Sequence, residues 1–149
     1  MKKYLICIVV AVLVHHVSFS QWFYKHDSTA VMKRTQNFIY AFTNLKWATF
    51  KEFFASDATL FYPELDNAHR LNGRKEIEEA LQPEFTDTTI KAPSNISPKD
   101  VRVQINRKTA IVTFHLESQH SLGRYTIIWV RREGEWKIFH LHGSNFTLN

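Results

Sequence analysis

From Asp100 to its C-terminus this 149-residue chain spaces its apolar residues differently from the stretch before it. Upstream they recur at intervals of three and four; downstream they alternate with polar residues. A period of 3.6 specifies one buried stripe on a helix, and a period of 2 specifies one buried face of a strand. A helical half is therefore followed by a β half. In the first half Val31, Arg34, Phe38, Phe42 and Leu45 fall at helical spacing, with Thr35 and Ile39 on the same side. Asp27 or Ser28 is the expected N-cap. A second helix is expected over Trp47 to Phe54, with Trp47, Phe50, Phe53 and Phe54 on one face and Ser56-Asp57 at its end. Ala58 to Tyr62 is a short β-like run stopped by Pro63, and Glu64 to Asn72 is polar and loop-like. Gly73 precedes a third helix, Arg74 to Leu81, which Pro83 ends because proline has no N–H to donate. Thr86 to Pro98 reads as a connecting loop.

The β half contains four alternating runs. Val101, Val103 and Ile105 form the first, and Asn106-Arg107-Lys108 turns the chain. Ala110, Val112, Phe114 and Leu116 then alternate against Ile111, Thr113, His115 and Glu117. Ser121 to Gly123 turns it again, Arg124 to Arg132 is a long strand, Glu133-Gly134 a tight turn, and Trp136 to His142 the last strand. Three helices before an antiparallel meander make an α+β domain, with the helices packed on one face of a curved sheet. Alternation leaves the inward face open. Tyr125, Ile127 and Trp129 oppose Ile128 and Val130, and Phe139 and Leu141 oppose Trp136 and Ile138, so both faces carry large apolar residues.

Composition narrows the function classes. The chain is 44% hydrophobic and 22% charged, which is globular, and its length fits one domain. Lys2-Lys3, the uncharged run Leu5 to Val14, and Ser18-Phe19-Ser20 have the form of a secretory signal peptide over residues 1–20. That apolar run is too short to span a bilayer. The only cysteine is Cys7, so cleavage before Gln21 leaves no thiol for catalysis, a disulfide or a zinc site. The net charge of +5 includes Lys2 and Lys3, and the excess is spread without a basic run interleaved with aromatics, which argues against a nucleic-acid partner. No nucleophile elbow, phosphate loop or dinucleotide fingerprint is present.

The stretch Ile128 to Ser144 contains Trp129-x-Arg131-Arg132-Glu133-Gly134-x-Trp136-x-Ile138-x-His140-x-His142-x-Ser144. It resembles the closing hairpin of SnoaL-like proteins in the nuclear-transport-factor-2-like superfamily. Within that superfamily it looks closest to the association domain of calcium/calmodulin-dependent protein kinase. Leu60-Phe61-Tyr62-Pro63-Glu64 and Leu71-Asn72-Gly73 match further upstream. The resemblance implies that residues 21–149 form a cone: a curved antiparallel sheet wrapped by three N-terminal helices, with an inner pocket and, as is usual there, a dimer or larger assembly. It also implies that the odd-numbered faces of the last two strands look inward and that the His140/His142 face looks outward. Where the association domain holds pocket arginines, this chain has Leu116, Ile127 and Gly143. The implied pocket is therefore apolar, and these 149 residues hold no kinase domain, so a holoenzyme-hub role is not expected to carry over.

The first functional reading is an exported domain that binds a small, largely apolar molecule without transforming it. Its pocket would be lined by Trp47, Tyr62, Phe85, Tyr125, Trp129 and Phe139, with the two tyrosines supplying polar contacts. The rival is an isomerase, cyclase or dehydratase whose pocket base is Asp57, Asp66 or His69; the last two sit in a polar loop and Asp57 at a helix end. A third is an oligomerisation module. His140 and His142 stand about 6.5–7 Å apart along one strand face. They make an alternative polar site with His115, but zinc needs at least three protein ligands, so no metal or other cofactor is expected. A homodimer through the outer sheet face is expected, because helices from one domain cover only one of two apolar faces. The competing cover for that face is Trp22 and Phe23.

Overall fold

The aromatic stripe of the first helix rests on the inner face of a six-stranded sheet. The computed structural model describes residues 26–62, 69–87, 97–117 and 121–147. The expected signal peptide, Trp22, Phe23 and Asp66 lie outside them. Among the described residues no helix is long and apolar enough to cross a membrane.

Helix α1 covers 26–43, so Asp27 and Ser28 are already helical and neither caps it from outside. Val31, Thr35, Phe38, Ile39 and Ala41 are buried, and the Thr35 hydroxyl donates to the Val31 carbonyl at 2.9 Å. The helix closes in a Schellman-type turn: Lys46 N–H donates to the Ala41 carbonyl, Leu45 N–H to that of Phe42, and Leu45 takes φ 50°. Helix α2 (Trp47–Phe50) then tightens into a 3-10 turn (Lys51–Phe53). The helix expected through Phe54 stops there. Phe54 is the first residue of strand β1 (Phe54–Phe61), where it pairs with Ile138, and that pairing overrides helical spacing. Ser56 and Asp57 are thus strand residues rather than a helix end.

Strand β2 (Leu71–Asn72) pairs with β1, and Gly73, at φ 81°, leads into helix α3 (Arg74–Thr86). Pro83 does not end this helix as expected; it lies inside it. One missing N–H costs a single intrahelical bond, whereas continuing to Phe85 places that ring 4.5 Å from Phe50 and 5.2 Å from Trp47. The meander follows as β3 (Pro98–Asn106), β4 (Thr109–Glu117), β5 (Ser121–Arg132) and β6 (Glu135–Thr147). Ser121 to Gly123, expected as a turn, opens β5. Glu133 and Gly134, at φ 52° and 86°, make the left-handed two-residue turn that suits a hairpin.

The strand order is β2-β1-β6-β5-β4-β3. Every neighbouring pair is antiparallel except β1 and β6, so the curved sheet is mixed, and the helices keep the expected place on one side of it. Phe38 of α1 meets Trp129 of β5 edge to face at 6.5 Å and Phe50 at 5.1 Å.

Strand β6 changes phase midway. Trp129 pairs with Ile138 but Ile128 pairs with His140, which leaves Phe139 as a β-bulge. Before the bulge the even residues Trp136 and Ile138 point inward; after it the odd residues Leu141 and Gly143 do. Neither of the two alternating faces read from the sequence is buried along the whole strand. Phe139, expected inside, is 38% exposed, and Ile138, expected outside, is 0% exposed. Ile138→Ala should therefore cost about 2–5 kcal/mol, and Phe139→Ala about 1 kcal/mol or less in the monomer. Urea unfolding of the two variants checks this, and equal losses would contradict the phase change.

Candidate functional site

Helix α1 and the sheet do not meet everywhere. An apolar cavity of about 30 Å³ lies between them. Phe38, Ile39 and Phe42 of α1 line one side, and Phe50, Phe54, Leu60, Tyr62 and Leu81 line the next. Phe114 and Leu116 of β4, Tyr125 of β5 and Leu141 of β6 complete it. Only two lining residues, the tyrosines, carry a side-chain polar atom; the cavity surface itself is wholly apolar, and no lining residue is charged. Leu116 stands on the lining, and Ile127 and Gly143 are buried in the same sheet face.

The six residues expected around the pocket separate into three groups. Tyr62 and Tyr125 line the cavity. Trp47, Phe85 and Trp129 stand behind the lining: Trp47 and Phe85 pack on Phe50, and Trp129 packs on Phe38 and Phe53. Trp129 is fully buried, and its indole N–H has no hydrogen-bond partner among the described residues. Phe139 is on the outer face, beneath the Arg132 guanidinium at 5.6 Å. Ten of the twelve lining residues are not among those six; Phe38, Phe42, Phe114 and Leu141, for example, belong to the same stripes that predict the helix and strands. Periodicity marks them as inward but cannot separate cavity wall from solid core.

The two described acid–base candidates, Asp57 and His69, are not in this cavity. Asp57 is exposed on β1 and takes two hydrogen bonds from Arg132, at 2.6 and 2.9 Å. Those bonds hold its carboxyl below the usual range and tie it to the end of β5. His69 is exposed. A general base must come within hydrogen-bond reach of its proton, and neither group opens onto the lining.

On the outer face, Thr59 Oγ1 and His140 Nδ1 are 2.7 Å apart across the parallel β1–β6 pair. The His142 ring lies 6.5 Å from that of His140 and 5.4 Å from Phe61. His115 does not join them. It pairs with Arg124 of β5, which pairs with Ser144 of β6, so it stands two strands and one row away from His142. Among the described residues no cluster of three His, Cys, Asp or Glu is arranged to hold a metal ion. Burial lowers the His140 pKa, and the neighbouring His142 and Arg70 lower it further. The unfolded chain therefore binds this proton more readily than the native one, so stability is present above about pH 6.5 and falls as pH drops through the lowered native value. A thermal-unfolding series from pH 8 to 5 should show that loss, and His140→Asn should flatten it. An unchanged slope in the variant would remove His140 as its cause.

With this geometry in view, the likenesses to known proteins have a physical meaning. The SnoaL-like domain family model matches residues 31–149. No curated protein matches the chain. Among solved structures, an NTF2-like protein of unknown function from Pseudomonas putida KT2440 aligns with a TM-score of 0.72 at 15% identity, over 80% of this chain and 87% of that one. A candidate dehydratase of the NTF2-like family from Streptomyces avermitilis aligns at 0.69 and 18% identity, over 82% and 97%. The CaMKII hub of S. rosetta aligns at 0.65 and 21% identity, over 80% and 96%. These structures share the α+β cone, and at such identities they speak for the fold alone. The family model spans the helical stripe, the meander and the Trp-Arg-Arg hairpin together, and the chain belongs to the SnoaL-like domain family.

Proposed function

We propose that this chain is a non-catalytic binding domain whose cone takes a slender apolar molecule or the apolar tail of a larger one. The observation that carries the reading is the lining: twelve residues, none charged and only two with a side-chain hydroxyl. Such a surface favours apolar groups through their removal from water and offers no base to a reacting carbon. At about 30 Å³ the space is far below the roughly 300–1,000 Å³ of ordinary ligand pockets. Entry of a chain of several carbons therefore requires the aromatic rings around it to shift. The isomerase, cyclase or dehydratase reading, which calls for a pocket Asp or His, lacks a carboxylate or imidazole at the lining among the described residues. n-Hexane is the probe. It should shift the methyl NMR signals of Leu60, Leu81 and Leu141, and Leu116→Trp, which fills the rim, should abolish those shifts. Shifts confined to exposed Ile111 would count against the cone as the site.

A second observation favours assembly of the same domain. Outside the sheet, Ile111 and Phe139 are 39% and 38% exposed, and Ile128 and Val130 are partly buried beside them. This patch is smaller than the sequence implied, because the bulge turns Trp136 and Ile138 inward. A twofold partner presenting the same patch would cover it. We further propose export with loss of residues 1–20. Both ideas are tested on one sample of exported protein: intact mass should begin at Gln21, light scattering should give twice that mass, and Phe139→Lys should halve the scattering mass. A full-length species contradicts the first, and a monomeric mass in the unsubstituted protein contradicts the second.

A further inference from the structure

Beside Tyr125, one of the residues that line the cavity, the inner face of the sheet loses its side chains. Gly123 and Tyr125 are neighbours on the inward face of β5, and Gly143 of β6 is directly opposite Tyr125. Both glycines are buried. A Cβ built on Gly123 would lie 2.7 Å from Tyr125 Cε2 and 3.3 Å from its Cζ. No real Cβ sits that close, so the tyrosine ring occupies the place a side chain at 123 would need. The ring therefore lies along the strand on a bed of glycine and stacks on Phe114 of β4 at 5.4 Å with a 12° interplanar angle. In that pose it forms a wall of the cavity and does not fill it.

The same missing Cβ draws in a second polar group. Asn145 pairs with Gly123 across β5 and β6, and its Oδ1 would be 3.0 Å from that Cβ. The hydroxyl-bearing end of Tyr125 and the amide of Asn145 thus converge on one bare Cα. Both are neutral. The nearest cation along the strand, Arg124, belongs to the opposite face, where its guanidinium stacks on Phe146 at 4.2 Å. Asn145 is exposed, so a charged head group brought to this rim would keep part of its water but meet no counter-charge from the two groups that form it. A hydroxyl, amide or carbonyl could exchange hydrogen bonds with the phenol and the amide.

We propose that Gly123 is the residue that creates this cavity, and that Tyr125 and Asn145 form its polar rim and select an apolar chain ending in a neutral hydrogen-bonding group. This rests on the cone being a binding site and narrows the ligand class for that same site. In the working protein, octan-1-ol should bind at least tenfold more tightly than octanoate at pH 8. The double variant Tyr125→Phe/Asn145→Ala keeps both the ring and the glycine bed; it should lose about tenfold in affinity for octan-1-ol and leave n-hexane binding unchanged. Gly123→Ala should displace the ring and weaken binding of both probes. If that variant fails to fold, the double variant still decides. Equal loss for n-hexane and octan-1-ol, or octanoate binding as well as octan-1-ol, overturns this assignment and leaves the cone as a binding site. If neither n-hexane nor octan-1-ol binds, both readings fall.

Discussion

The extra residue in β6 sets which side chains the helices can cover. With Phe139 looped out of register, Trp136 and Ile138 reach the inner face from one side of the bulge, and Leu141 and Gly143 reach it from the other. Without it, half of the strand would turn its apolar residues to the outer face, because strand side chains alternate with a period of exactly two positions. The inner face so assembled meets Phe38, and through Phe38 the rings of Phe50, Phe53, Phe54 and Trp129. Their edge-to-face and offset contacts fix the distance between α1 and the sheet. The cavity is the remainder where that packing runs out, toward Tyr62 and Tyr125.

What the interior lacks is as informative as what it contains. A carboxylate or imidazole buried among these rings would be strongly biased to its neutral form and would need a partner. The described lining holds neither, and the described ion pairs stand elsewhere. Arg131 pairs with Asp27, Arg132 with Asp57, and Arg74 with both Glu52 and Glu78. Largely exposed pairs of this kind contribute little to stability. They do tie the start of α1, the bend of β1 and the start of α3 to their neighbours, and so help to keep the cone in shape around an apolar interior.

The paired histidines illustrate how a motif and its surroundings divide the work. Two imidazoles on one strand face look like the beginnings of a metal site, yet His140 is engaged with Thr59 from the parallel strand β1. That contact ties the last strand to the first across the sheet's only parallel pair among the described strands. His140 is thereby a neutral fastening whose protonation opposes folding, with His142 and Arg70 adding to the opposition.

Local pattern carried much of this protein. The α1 stripe, the four-strand meander, the Glu133-Gly134 turn and the hairpin motif follow from repeats within a few residues of one another, and such repeats are written in the chain. The misreadings share one physical origin. Phe54 left its helix to pair with Ile138, Pro83 stayed within a helix because Phe85 found the Phe50 and Trp47 rings, and Phe139 left the core when β6 matched its register to β5. In each case a partner distant in sequence outweighed a local preference worth about 1–3 kcal/mol. The cavity belongs to the same class. Twelve residues from seven separate segments surround it, and only their assembly decides that Tyr62 and Tyr125 face an open space while Trp47, Phe85 and Trp129, as aromatic as they are, stand behind its wall. The sequence by itself determined which residues shun water; the tertiary structure decided which of them have something to touch, because packing depends on partners that no local repeat can specify.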